Sequence, residues 1–282
     1  MHFGAGIFFT DYSAEPGELA KELEARGFES IWTPEHSHIP ISRATPMPAG
    51  KDLPKKYYDV MDPFVTLTAA AVATTTLKVA TGICLVGQRD PIQTAKLVSS
   101  LDQVSNGRFM FGVGSGWNAE EMANHGTNFK SRHKRVRESI AAMREIWTST
   151  KPEYHGDLID FPPMMTWPKP VQDPHPPVHV GGNFPHGARR AIAYGNGWMP
   201  HIRRPNYEDV TDFLPDFEEM VREAGRDIDS LPVTIWDSPL DVNTVKRFQD
   251  RGVTRVIAEL DSERLDALLP ELDRWAEVID RI

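Results

Sequence analysis

Eight strand-like stretches, each followed by a helix-like one, alternate along the chain, and this rhythm limits the possible folds more than any other feature. "HFGAGIFF" is a short apolar run, and "EPGELAKELEARGF" follows it with Pro16 at a helix start and Gly27 at its end. "ESIWTPEH" reads as the second strand. A loop rich in proline and lysine (37–58) leads into a helix, "DPFVTLTAAAVATTT", and a third strand, "LKVATGICLVG". In "RDPIQTAKLVSSLDQVSNG", Asp90 is placed as an N-cap, Pro91 as the first helical residue and Gly107 as the stop. The fourth strand lies in "GRFMFGVGSGWNAEE".

The second half repeats the pattern. "NFKSRHKRVRESIAAMREIWTST" carries Val136, Ile140, Met143 and Trp147 on one helical face. The segment "YHGDLIDFPPMMTWPKPVQDPHPP" contains seven prolines, which forbid a long helix and predict an extended excursion over the surface. "VHVGG", "GWMPH", "LPVTIWD" and "VTRVIAEL" supply strands five to eight, with helices between them. The last helix places Leu265, Leu268, Leu272, Trp275 and Ile279 on one stripe. Eight βα units in 282 residues predict a (β/α)8 barrel formed by residues 1–282 as one domain.

Composition narrows the function. A formal charge of -9 disfavours nucleic acid and acidic membrane surfaces as partners. A single cysteine, Cys84, excludes an intramolecular disulfide and a cysteine-built zinc site. With no uninterrupted apolar run of membrane-spanning length, a cytoplasmic protein acting on a small molecule is expected.

In such barrels ligands sit where the strands end and the βα loops meet. Gly114, Ser115 and Gly116 end strand four, while Gly181, Gly182 and Asn183 end strand five. Two neighbouring strands thus offer bare amides at one rim, which suits an anionic ligand; tight turning is the competing explanation. A dinucleotide fingerprint does not fit, because Gly112, Gly114 and Gly116 are spaced G-x-G-x-G and about a hundred residues precede them.

"RDPIQTAKLVSSLDQVSNGRFMFGVGSGWNAEEM" together with "WPKPVQDPHPPVHVGGNFPHGARRAIAYGNGWMP" resembles the luciferase-like monooxygenase superfamily, in particular its branch using the 5-deazaflavin coenzyme F420. The resemblance implies a barrel oxidoreductase, a homodimer, and F420 lying across the strand ends, with FMN as the alternative cofactor. It implies that Gly114, Ser115, Gly116 and Trp117, with Gly181, Gly182 and Asn183, hold the cofactor's phosphate and ribityl chain. It also implies a cis peptide at Gly82–Ile83 that presses a bulge against the ring. His36, in "TPEHSH", matches a histidine that exchanges a proton with substrate in related deazaflavin enzymes; an imidazole, with an ordinary pKa of about 6.5, suits that work. In related sugar-phosphate dehydrogenases an acid follows the third glycine of the strand-four turn, whereas Trp117 stands here.

Other residues are open to two readings. Glu120 and Glu121 suit a helix start as readily as a site. Trp32 and Trp198 are candidates for ring stacking or for the core. The basic run "KSRHKRVR" attracts an anionic tail or forms a solvated face, and Arg189 and Arg190 are better placed for the former. The loop 37–58 and the proline-rich segment are expected to line the substrate entrance. A metal-dependent hydrolase using His36, His38, His179, His201 and Asp261 is the rival from another class, and a flavin-barrel binding protein without turnover is the third reading.

Overall fold

The structure, a computed structural model, describes residues 1–47 and 52–282. Strands β1 (His2–Gly6), β2 (Ser30–Thr33), β3 (Lys78–Thr81), β4 (Phe109–Val113), β5 (Val178–Gly181), β6 (Gly197–Met199), β7 (Thr234–Trp236) and β8 (Arg255–Glu259) form one parallel sheet. Its order is β6-β5-β4-β3-β2-β1-β8-β7. The seam between β6 and β7 is closed by single bridges, Trp198 with Val233 and His201 with Trp236. Pro200 and Pro232 stand at this seam, lack an N–H, and act there only as acceptors, from Trp236 N at 2.8 Å and Trp198 N at 3.0 Å. The result is the expected (β/α)8 barrel.

A main helix follows each strand: α1 (Pro16–Ala25), α2 (Pro63–Ala73), α3 (Pro91–Val104), α4 (Arg132–Thr148), α5 (His186–Tyr194), α6 (Leu214–Glu223), α7 (Val242–Asp250) and α8 (Leu265–Ile279). The punctuation works as the residues dictate. Asp90 accepts from Gln93 N at 2.8 Å and Pro91 opens α3, while Gly107, at φ +77°, ends the turn after it. Val136, Ile140, Met143 and Trp147 are buried on α4; on α8, Leu268, Leu272 and Trp275 are buried, with Leu265 and Ile279 packed at their edge.

The barrel interior is a small separate core of Trp32, Ala80, Met110, Met199, Trp236 and Ile257. Two alternate glycines of β1 make the tryptophans possible. A Cβ on Gly4 would lie 2.8 Å from Trp32 Nε1, and one on Gly6 would lie 2.6 Å from the Trp236 ring. Trp32 and Trp198 are both fully buried, so neither is available to stack on a ligand. Trp198 instead packs among the helices and donates its indole N–H to Gly182 O at 2.9 Å, fixing the turn after β5.

At the opposite end of the barrel, Arg255 holds Glu29 through two hydrogen bonds of 2.8 Å, and Lys78 adds a third at 2.9 Å. Burial alone would raise the Glu29 pKa, but Arg255 and Lys78 outweigh it and hold the carboxyl at about 2. His179 lies below the rim, edge-on to Trp32, with Nδ1 unpartnered. Burial, reinforced by the Arg255 charge, pushes its pKa down to about 3.

The proline-rich segment departs from expectation. It includes a two-residue hairpin (Tyr154–His155 with Asp160–Phe161) and lines neither hollow at the strand ends. Buried Asp102 of α3 captures it from below, accepting from Val171 N at 2.7 Å and Gln172 N at 3.0 Å. Among the described residues no helix is long and apolar enough to cross a membrane.

Candidate functional site

Two adjoining hollows open at the C-terminal ends of the strands. The outer one, about 760 Å³, is walled by the two glycine turns: Gly114, Ser115, Gly116 and Trp117 on one side, and Gly181, Gly182 and Asn183 on the other. The inner one, about 210 Å³, contains His36, Tyr57 and Glu259. Gly82, Ile83, Gly116, Trp117, His201, Arg204 and Trp236 border both. His36, Gly82, Ile83 and the two glycine turns therefore converge on one place.

Ile83 divides the hollows. The Gly82–Ile83 peptide is cis. The Ile83 side chain packs so closely over β4 and β5 that a Cβ on Gly114 would fall 1.8 Å from its Cδ1, and one on Gly181 3.0 Å from its Cγ2. Gly112 is equally constrained, since a Cβ there would sit 1.9 Å from Thr81 O. The bare backbone of "GVGSG" is thus required first by the end of β3. Gly116, at φ +71°, and Gly182, at φ +140°, supply the left-handed turns that aim the loops at the hollow.

The far end of the outer hollow is basic. Arg132, His133, His186 and Arg190 line it. Arg132 and Arg190 have no acidic partner among the described residues, and Arg132 Nε and His133 Nδ1 are buried without a hydrogen bond. Burial and the charges of Arg190 and Arg132 push the His133 pKa down to about 4. The Arg132 Nε–H without an acceptor, a His133 nitrogen that donates in one tautomer, and two guanidinium groups without an acidic partner, of which Arg132 otherwise donates to Phe129 O at 2.8 Å, fit a phosphate or another anion. Of the basic run, only Arg132 and its neighbour His133 reach this hollow. Lys134 pairs with Asp157, and Arg135 donates to Gly87 O at 3.0 Å. Arg189 is exposed and only Arg190 lines the site.

At the other end, His36 Nδ1 lies 2.8 Å from Glu121 Oε2. Glu121 is fully buried and also accepts from Ser37 N at 3.2 Å. Its backbone N–H is capped by Asn118 Oδ1 at 3.1 Å, so the short helix Ala119–Asn124 delivers the carboxylate to the histidine. Trp117 packs edge-on against His36 with ring centres 5.9 Å apart, and Tyr57 lies on another side at 5.5 Å. Glu120 turns away and is bound by Thr45.

Glu35 ties the loops together. It accepts from Leu85 N at 2.7 Å and from Arg89 Nε at 2.6 Å, which anchors the segment just after Ile83. Cys84 is buried beside it, and burial together with the Glu35 charge raises the thiol pKa well above its usual value, leaving it unreactive. His38 lies in an exposed network with Ser37 and Asn124 and lines neither hollow. No group of three or more His, Cys, Asp or Glu suited to a metal occurs among the described residues, so the residues of the hydrolase reading are not gathered.

Comparison with known proteins agrees with this geometry. The family model described as luciferase-like monooxygenase matches residues 10–239. The chain belongs to that family. An uncharacterized protein of Mycobacterium tuberculosis (strain ATCC 25618 / H37Rv) is 36% identical, with 98% of each chain covered. An F420-dependent glucose-6-phosphate dehydrogenase of Amycolatopsis mediterranei (strain U-32) is 28% identical over 77% of this chain and 62% of its own. The solved structure of an F420-dependent secondary alcohol dehydrogenase in complex with an F420-acetone adduct superposes with a TM-score of 0.75, at 20% identity, over 99% of this chain and 98% of its own. As a member of this family the chain is read as an oxidoreductase.

Tyr57, Arg204, Trp236 and Glu259 escaped the sequence reading, and Glu121 was left open there between a helix start and a site. Trp236 and Glu259 end β7 and β8, and the rule that functional groups sit at strand ends points to both. Nothing local in the sequence distinguishes Glu121 from its neighbour Glu120.

Proposed function

We propose that the protein is an F420-dependent oxidoreductase acting on a small organic substrate. The observation that carries this reading is the polarity of the paired hollows. One end offers unpaired Arg132 and Arg190 with orphaned donors; the other holds the His36–Glu121 pair; Ile83 lies between. F420 is preferred to FMN because the curated relatives with a named activity include an F420-dependent dehydrogenase.

In this reading Arg132, Arg190 and the amides of Gly114–Trp117 and Gly181–Asn183 hold the anionic chain of the cofactor. When bound, the deazaflavin supplies a two-electron hydride donor or acceptor. Ile83 supports the ring, while Trp117 and Trp236 exclude water from the inner hollow. Glu121 is an acceptor, so His36 Nδ1 carries the shared proton and Nε2 is the atom that takes a proton from substrate or returns it. Trp117 stands where the resemblance to the sugar-phosphate enzymes places an acid, and Glu121, reaching in from the next helix, orients the histidine.

We also propose a cytoplasmic homodimer. Helix α2 is apolar on both faces: Phe64, Leu67 and Ala70 are buried against the barrel, while Val65 and Val72 are each 68% exposed on the other side.

A crystal structure of the F420 complex tests the placement. Its phosphate is expected between Arg190 and the Gly114–Trp117 turn, and a cofactor bound elsewhere overturns the reading.

A further inference from the structure

The inner hollow holds two carboxylates, and both are satisfied. Glu35 is engaged by Leu85 N and Arg89, and Glu259 by Lys56 Nζ at 3.1 Å and Trp236 Nε1 at 3.0 Å. Among the described residues Arg204 is the only Lys or Arg lining this hollow, and its guanidinium makes no hydrogen bond or ion pair with them. Its backbone is nevertheless fixed, because Arg204 and Tyr207 exchange N–H···O bonds of 2.9 Å in both directions around a tight turn. His201 beside it is kept neutral by burial and the Arg204 charge, so it adds no second cation. Two more groups are without a partner among the described residues, the Tyr57 hydroxyl and His36 Nε2.

A half-buried arginine whose guanidinium makes no hydrogen bond or ion pair, although Glu259 and Asp237 are near enough to act on its charge, keeps its planar fork free to match a carboxylate. The hollow's 210 Å³ equals roughly seven water volumes. Phe8, Met47, Leu85 and Trp117 leave the rest of its wall apolar. A phosphomonoester dianion is a poorer match, because Lys56 and Arg89, the cations that touch the hollow's carboxylates, are committed to Glu259 and Glu35.

We propose that the inner hollow binds a small hydroxy- or oxo-carboxylate, its carboxylate on Arg204 and its oxygen within reach of His36 and Tyr57. This deepens the oxidoreductase reading and rests on it for the role of His36, whereas the carboxylate contact is a property of the chain itself.

Calorimetric titration decides it, with 4-methyl-2-oxopentanoate as probe and the uncharged 4-methyl-2-oxopentanamide as its control, on the apo-protein and on the F420-loaded protein. The acid is expected to bind at least tenfold more tightly than the amide. Arg204→Ala should abolish that preference while unfolding as cooperatively as the wild type, Arg204→Lys should restore part of it, and Arg190→Ala should leave it intact. Equal binding of acid and amide, no binding of the acid, or a preference that survives Arg204→Ala or vanishes in Arg190→Ala overturns the proposal. Titrating the same preparations with F420 separates the two claims: failure to bind F420 overturns the cofactor reading, while the comparison in the apo-protein still decides Arg204.

Discussion

His36 and Glu121, 85 positions apart in the chain, meet in a 2.8 Å contact between buried side chains. His36→Asn is expected to lower kcat/KM by about 10² to 10⁴ while leaving F420 binding unchanged, the range for losing a positioned acid–base group. Glu121→Gln keeps the volume but accepts the shared proton less well and can present its amide N–H₂ instead, so a smaller loss with an altered pH profile is expected. Steady-state kinetics across pH distinguishes them; a Glu121→Gln enzyme with wild-type rates at every pH removes Glu121 from the account.

The basic end of the outer hollow makes a separable prediction. Arg190→Ala should weaken F420 binding roughly tenfold to a hundredfold, the worth of one charge-assisted hydrogen bond of about 1.5–3 kcal/mol. A deazaflavin chromophore lacking the phosphate should bind both proteins alike. Tryptophan quenching measures each; equal losses for the two ligands would mean that Arg190 acts on the turn at Gly182, which it overlies, and not on the anion.

Two groups, buried His179 and half-buried Glu29, predict acid lability. His179 has a folded pKa depressed to about 3, so below about 6.5 the unfolded chain binds a proton that the folded one does not, and stability falls as pH drops toward 3. Glu29, depressed to about 2, contributes stability that is complete above about 4.5 and is lost below it. Between pH 6.5 and 5 Glu29 does not yet act; His179 costs about 2 kcal/mol there, and the other histidines with depressed values, His133 and His201 among them, add to the same trend. Urea denaturation of wild type and His179→Leu at both pH values checks this, with a flatter dependence expected for the variant.

The outer face of α2 predicts the assembly. Sedimentation should give a dimer for the wild type, and Val65→Glu with Val72→Glu should give a folded monomer. A monomeric wild type contradicts it.

Much of the barrel was legible because its signals are local. Asp90, Pro91 and Gly107 bound α3 by backbone chemistry alone, and the stripe on α4 follows from helical spacing. The site was half legible. Gly114 and Gly181 lie at strand ends, but their strictest constraint, the Ile83 side chain, comes from another strand. Arg204 stands in a tight turn and Tyr57 in the single helical turn Lys56–Asp59, both too short for periodicity to mark a residue that faces inward. The proline-rich segment was misplaced for a similar reason: prolines show that a segment is extended, whereas Asp102, about 70 residues earlier, determines which end of the barrel it covers.

The central claim is tested most directly by titrating the apo-protein with F420 and with FMN under identical conditions, following tryptophan fluorescence, to which Trp117 and Trp236 at the hollow contribute. Saturable binding of F420 at least tenfold tighter than FMN is predicted. Preference for FMN, or binding of neither, contradicts it.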